Sequence, residues 1–117
     1  MPFEIPTLLH NPKCSKSRAA KALLDEKGFS YAERRYLDEP LDANELGELR
    51  RRLGRPASEW VRRGEPAFDE AGLSAESADE AILLAMQRHP ILIERPILIL
   101  PKRAVVGRPP ERVLELV

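Results

Sequence analysis

A single cysteine, Cys14, stands in the polar stretch Pro12-Lys13-Cys14-Ser15-Lys16-Ser17, directly before residues that recur at helical spacing. A thiol at the first turn of a helix meets free backbone N–H groups and the positive end of the helix dipole. Both stabilise the thiolate and raise its reactive fraction near neutral pH. Lys13, Lys16 and Arg18 would add positive potential. Ser17 can reach back across one turn toward the sulfur. His10 can either share a hydrogen bond with the thiol or finish the end of the preceding strand. The competing reading of a lone cysteine is a small core hydrophobe, but the loop-like setting favours a reactive thiol.

With one cysteine and only His10 and His89 beside it, an internal disulfide, a CxxC redox pair and a cysteine-rich metal site are excluded, and no metal is expected. The basic residues comprise 14 arginines against five lysines. Arginine's planar fork of donors suits tetrahedral oxyanions, although GC-rich codon usage explains the excess equally well. Arg62, Arg95 and Arg108 each sit beside a turn or loop, yet spacing alone does not group them. Arg50-Arg51-Arg52 reads as a solvated helix face and Trp60 as packing. Pro96, just before an apolar run, is a candidate for a cis bond.

The elements that must position these residues follow from periodicity. Ile5 to Leu9 reads as a buried strand ending at His10-Asn11-Pro12-Lys13. Ala19, Ala20, Leu23 and Leu24 mark a helix that stops at Gly28, and Tyr31 to Leu37 reads as a second strand before Asp38-Glu39-Pro40. A right-handed crossover of this kind gives a parallel pair. Asp42 and Glu45 are spaced as a capping box ahead of Leu46, Leu49 and Leu53, with Gly54 as the stop. A further helix is expected from Ser58 through Trp60 to Arg63, and another behind a Ser77/Glu80 capping box, with Ile82, Leu83 and Met86 buried. Ile91 to Ile93 and Ile97 to Leu100 flank Arg95-Pro96. The second run turns at Pro101-Lys102-Arg103 into Ala104 to Val106 as a hairpin, and Pro110 opens a last helix carrying Val113, Leu114 and Val117. The order is β-α-β, a helical middle, then β-β-α.

Length and composition bound the rest. At 117 residues, one domain spanning 1–117 is expected, large enough to bury a core without staples. The 19 basic and 19 acidic residues balance, so no overall field draws in nucleic acid or an anionic membrane. The longest apolar run, Ala81 to Met86, is far short of the roughly 20 residues of a membrane helix. A cytoplasmic monomer is the default expectation.

Three segments in order, HNPKCSKSR at 10–18, RPILILP at 95–101 and GRPPERVLELV at 107–117, together resemble the ArsC family of bacterial glutaredoxin-dependent arsenate reductases. The resemblance runs from Thr7 to Val117. It implies an α/β, thioredoxin-like (glutaredoxin-like) fold: a four-stranded mixed sheet with flanking helices and an inserted helical region. By position, Cys14 matches the family's nucleophile, His10, Asn11 and Ser17 match the loop that supports the thiolate, and Pro96 matches its cis proline. Arg62, Arg95 and Arg108 match the arginines around the oxyanion, with Arg63 taking the place of Arg62 if the register shifts by one.

The resemblance further implies reduction of arsenate to arsenite through a Cys14 thiol-arsenate adduct. No cofactor would be bound, glutathione would serve as co-substrate and glutaredoxin as partner. Two other readings use the same sequence: a glutathione-dependent thiol reductase acting on another substrate, and a regulator of the Spx type that binds RNA polymerase. Ser17 stands where a CxxC switch would need a second cysteine, so a disulfide-switched regulator is not available to this chain.

Overall fold

The computed structural model describes residues 2–117. Four three-residue strands, β1 (Thr7–Leu9), β2 (Ala32–Arg34), β3 (Ile97–Ile99) and β4 (Ala104–Val106), form one mixed sheet in the order β2-β1-β3-β4. β1 runs parallel to β2 and antiparallel to β3, and β3 and β4 make the expected hairpin. The register Leu8↔Leu98↔Val105 places these three side chains in one row. They pack with Ala20 and Leu24 of α1 (Ser15–Glu26) and with Val113 of a terminal 3-10 helix, Pro110–Leu116. Leu9, Ile97, Ile99 and Val106 belong to the opposite cluster, with α2 (Ala43–Leu53), α3 (Pro66–Glu70) and α4 (Asp79–Arg88). A sheet covered on both faces explains why β3 and β4 are continuous apolar runs rather than alternating ones, while the edge strand β2 carries Glu33 and Arg34.

Local signals place the helix ends well. The α2 capping box forms in both directions: Glu45 N donates to Asp42 Oδ1 at 2.7 Å and Asp42 N donates to Glu45 Oε1 at 3.0 Å. Gly54 closes that helix in the left-handed conformation at φ 66°, which a residue without Cβ adopts at little cost. Arg34 grips the same Glu45 at 2.9 Å, tying β2 to the start of α2.

Four local expectations are not met, two of them because long-range contacts win. The helix expected from Ser58 is a 3-10 turn, Ala57–Glu59, after which Val61 bridges antiparallel to Ile93. Arg62 N donates to Leu92 O at 2.8 Å and Glu94 N to Trp60 O at 3.0 Å, so this backbone finds its partners across the fold rather than within a helix. The Ser77/Glu80 box does not form: Ala78 caps α4, and Ser77 Oγ accepts from Ser74 N instead. The closing helix is 3-10 rather than α. The Arg50-Arg51-Arg52 face is not uniformly solvated either, since the Arg52 side chain is 2% exposed. It donates to Pro2 O, Phe3 O and Leu100 O at 2.8, 2.7 and 3.1 Å and pairs with Glu48 at 2.8 Å. A single guanidinium there ties the N-terminal segment to the end of β3.

Candidate active site

The loop after β1 is closed by its own polar side chains. His10 N donates to Arg34 O at 2.9 Å, fixing the strand end. Ser17, fully buried, holds the loop over the first turn of α1: its Oγ accepts from Asn11 N at 3.0 Å and shares a 2.7 Å hydrogen bond with His10 Nδ1. Asn11 supplies two further closures, Oδ1 to Lys13 N at 3.0 Å and O to Cys14 N at 3.0 Å. Arg18 Nη1 donates to Pro12 O at 2.9 Å. The side chains of His10, Asn11 and Ser17 therefore brace the backbone that presents Cys14, and burial holds the His10 pKa below its ordinary value, which favours the neutral ring.

Cys14 is the N-cap residue of α1, in extended conformation, and its side chain is partly exposed. Burial pushes the thiol pKa up, but the backbone N–H of Ser17, the positive charge of Arg95, the backbone N–H of Lys16 and the Arg95 guanidinium lying against the sulfur outweigh it. The net result is a lowered pKa. The positive potential thus comes from Arg95, 81 positions away in the sequence, and Ser17 contributes through its backbone rather than by reaching back with its hydroxyl.

Arg95 enters on a cis Arg95-Pro96 bond, as expected, and Arg108-Pro109 is a second cis bond. Its Nε and Nη1 are buried, and among the described residues neither has a hydrogen-bond partner. Buried guanidinium donors without acceptors are costly, and an anion is the ligand that would satisfy them. Gly107 makes the approach to Pro96 close. Its N donates to Pro96 O at 2.8 Å, and a Cβ there would meet Val113 at 2.8 Å and Pro96 at 2.9 Å.

The other two arginines face the same place. Arg62 pairs with Glu65 at 2.7 Å and reaches Glu94 at 3.9 Å. Arg108 Nη1 lies 3.4 Å from Glu94 and donates to Arg95 O at 3.0 Å. Arg63 instead donates to Ser58 O, whereas Arg62 is the one of this pair that reaches Glu94. Behind the group, Tyr36 is 1% exposed, and burial raises its phenol to about 12 against the pull of Arg95 and Arg62. Its electrostatic coupling to Cys14, Arg95, Arg62 and Glu94 marks one shared neighbourhood.

A thiol with a lowered pKa beside Arg95, with Arg62 and Arg108 gathered on the adjoining Glu94, can attack an electrophilic centre that carries anionic oxygens. The arginines both hold such a group and offset its repulsion from the thiolate. Among the described residues no His, Cys, Asp and Glu side chains gather as a metal site, and no helix is long and apolar enough to cross a membrane. Tyr36, Glu94 and Gly107 did not stand out from the sequence. Only Glu94 had a visible signal, as a lone acid between an apolar run and Arg95-Pro96.

Comparison with known proteins agrees with this geometry. The chain is 41% identical over 108 residues to an arsenate reductase of Neisseria meningitidis serogroup B, covering 91% of this chain and 92% of the relative. An uncharacterized protein of Escherichia coli is 43% identical over 112 residues, covering 94% of each. The solved structure of an arsenate reductase from Vibrio cholerae superposes with a TM-score of 0.90 at 39% identity, covering 96% of this chain and 97% of that one. The sequence model of the ArsC family matches residues 9–116. With the thioredoxin-like mixed sheet and this extent of matching sequence, the chain belongs to the ArsC family.

Proposed function

We propose that this protein reduces arsenate to arsenite, with Cys14 as the nucleophile and Arg62, Arg95 and Arg108 as the groups that receive the oxyanion. The observation that carries the reading is the pairing of a thiol of lowered pKa with a guanidinium whose Nε and Nη1 are buried and without partners. Sequence relatives named arsenate reductase support the choice of substrate.

The Cys14 thiolate attacks arsenic, one oxygen leaves as water, and a sulfur–arsenic bond forms. The arginines stabilise the negative charge on the remaining oxygens as they rearrange. The two electrons needed to take arsenic from the pentavalent to the trivalent state come from two external thiols, because this chain has no second cysteine. A glutathione thiolate displaces a second oxygen as water. A glutaredoxin thiolate then attacks the glutathione sulfur, the arsenic retains the electron pair of the broken bond, and a mixed disulfide departs. Hydrolysis of the remaining bond releases arsenite and returns the Cys14 thiol. His10, Asn11 and Ser17 keep the loop in the form that presents the sulfur. Such thiol chemistry fits a reducing cytoplasm.

The test is consumption of NADPH in a coupled assay of glutathione, glutathione reductase, glutaredoxin and arsenate, with Cys14→Ser alongside. Arsenate-dependent turnover that is lost in Cys14→Ser is the expected result. No turnover by wild-type protein whose Cys14 alkylates readily would overturn arsenate as the substrate.

A further inference from the structure

We infer that Glu94 is the internal counter-anion of the arginine cluster, and that it weakens noncovalent oxyanion binding so that capture depends on the bond to Cys14. The inference rests on the oxyanion reading of the site. A single oxygen, Glu94 Oε1, lies 3.4 Å from Arg108 Nη1 and 3.9 Å from Arg62 Nε, and accepts from Arg95 N at 3.3 Å. The donation from Glu94 N to Trp60 O at 3.0 Å pins its backbone opposite Arg62, next to the Val61↔Ile93 bridge. The carboxylate therefore occupies the space between two of the three guanidinium groups an oxyanion would use.

The local charge balance gives this placement its consequence. Arg62, Arg95 and Arg108 bring three positive charges, while Glu65, Glu94 and the Cys14 thiolate cancel all three. An incoming oxyanion meets a neutral cluster unless one acid gives way. Glu65 is held tightly by Arg62 at 2.7 Å. The Glu94 contacts are longer and its side chain is 25% exposed, and ion pairs of that kind are weak. Glu94 is the acid that yields, and whatever takes its place does so at the expense of its affinity.

The chemical result is weak noncovalent retention of any such oxyanion. Phosphate and arsenate have similar shape and charge, so arginines alone would hold both. An internal anion penalises both equally in the noncovalent step, but only arsenate then gains a stable bond to sulfur. Glu94 acts on noncovalent affinity through Arg62 and Arg108, without touching the reacting atoms.

The test is calorimetric titration of inorganic phosphate into wild-type protein, Glu94→Gln, Glu94→Asp and Arg95→Met, together with arsenate kinetics. Removing one charge about 6 Å from the bound anion, even in a water-like dielectric, is worth about threefold in affinity. Glu94→Gln is therefore expected to bind phosphate at least about threefold more tightly and to show a lower KM for arsenate with kcat not raised. Glu94→Asp, which keeps the charge, stays near wild type. Phosphate affinity in Glu94→Gln equal to or weaker than wild type, or a Glu94→Asp variant that behaves like Glu94→Gln, overturns the inference. Binding by wild type that disappears in Arg95→Met keeps the oxyanion reading standing in that event. Absence of binding in both wild type and Glu94→Gln removes the oxyanion reading and the inference together.

Discussion

Replacing Arg95 by methionine separates what this residue does for the fold from what it does for the chemistry, because the two effects have opposite signs. In the folded protein, Nε and Nη1 are buried without partners, and each such donor costs about 1 to 3 kcal/mol. Methionine keeps most of the apolar stem and removes those donors, relieving roughly 2 to 6 kcal/mol of that cost. Against this stands the lost contact between the guanidinium and the thiolate, worth about 1.5 to 3 kcal/mol as a charge-assisted hydrogen bond. The two ranges combine to between about 1 kcal/mol less and about 4.5 kcal/mol more stable than wild type, centred on a gain of about 2 kcal/mol, or roughly 8 °C in Tm for a chain of this size. Activity moves the other way: by analogy with loss of one oxyanion-hole donor, kcat/KM for arsenate falls by about 10² to 10³. Thermal unfolding and the coupled assay on the same preparation measure both. Phosphate supplies a third reading, since a bound anion stabilises wild type by RT ln(1 + [L]/Kd), raising its Tm with phosphate concentration, and leaves the variant unchanged. A variant more than about 1 kcal/mol less stable than wild type, or one whose kcat/KM stays within about tenfold, would show that Arg95 is a structural arginine and would refute the reasoning.

Two further outcomes are expected. Arg52→Met strips donors from Pro2 O, Phe3 O and Leu100 O and leaves Glu48 with one arginine partner fewer. Breaking a buried, hydrogen-bonded charge of this kind costs about 3 to 5 kcal/mol, read as a lower urea midpoint by Trp60 fluorescence, and a loss under about 1 kcal/mol would show that the N-terminal segment does not depend on it. For Cys14 the folded state lowers the thiol pKa, so the ionised thiolate stabilises the fold. That contribution is fully present above the unfolded thiol pKa and is lost as pH falls through the lower folded value. Wild-type stability relative to Cys14→Ser should therefore rise as the pH is raised through the lowered folded-state pKa and level off above the unfolded thiol value, about 8.5. A flat difference across that range would mean that the N–H groups and Arg95 do not favour the thiolate.

What was legible in the sequence is what neighbouring residues settle among themselves. Asp42 and Glu45 form their box because both partners lie within one helical turn, and Gly54 ends α2 because its φ of 66° suits glycine. Ser77 and Glu80 have the same spacing and no box, because α4 starts one residue later with Ala78 as its cap and Ser77 Oγ accepts from Ser74 N. Val61 pairs with Ile93 rather than continuing a helix, since burying Trp60 completely brings this backbone against the segment before β3. Arg52 shows the same limit. Its run of three arginines reads as solvated from local pattern, and only the arrival of Pro2, Phe3 and Leu100 supplies acceptors enough to bury it.

The site divides along the same line. Residues 10 to 18 reveal a thiol at a helix start, and the groups that lower its pKa from within that segment are backbone N–H donors, which need only the turn to form. His10, Asn11 and Ser17 matter because they close that turn, a role visible as polarity but not as geometry. The charge that matters most to the sulfur cannot be read from its neighbours. Lys13, Lys16 and Arg18 crowd the motif, and it is Arg95 that lies against the thiol, delivered where β1 and β3 pair antiparallel. Arg62 comes from the segment bridged to Ile93, and Arg108 follows Gly107, whose missing Cβ lets that turn close on Pro96. Three arginines from three separate segments meet only because the sheet brings them to one end. The carboxylate that shares their space, Glu94, is adjacent to Arg95 in sequence, yet its position between Arg62 and Arg108 exists only in the folded chain.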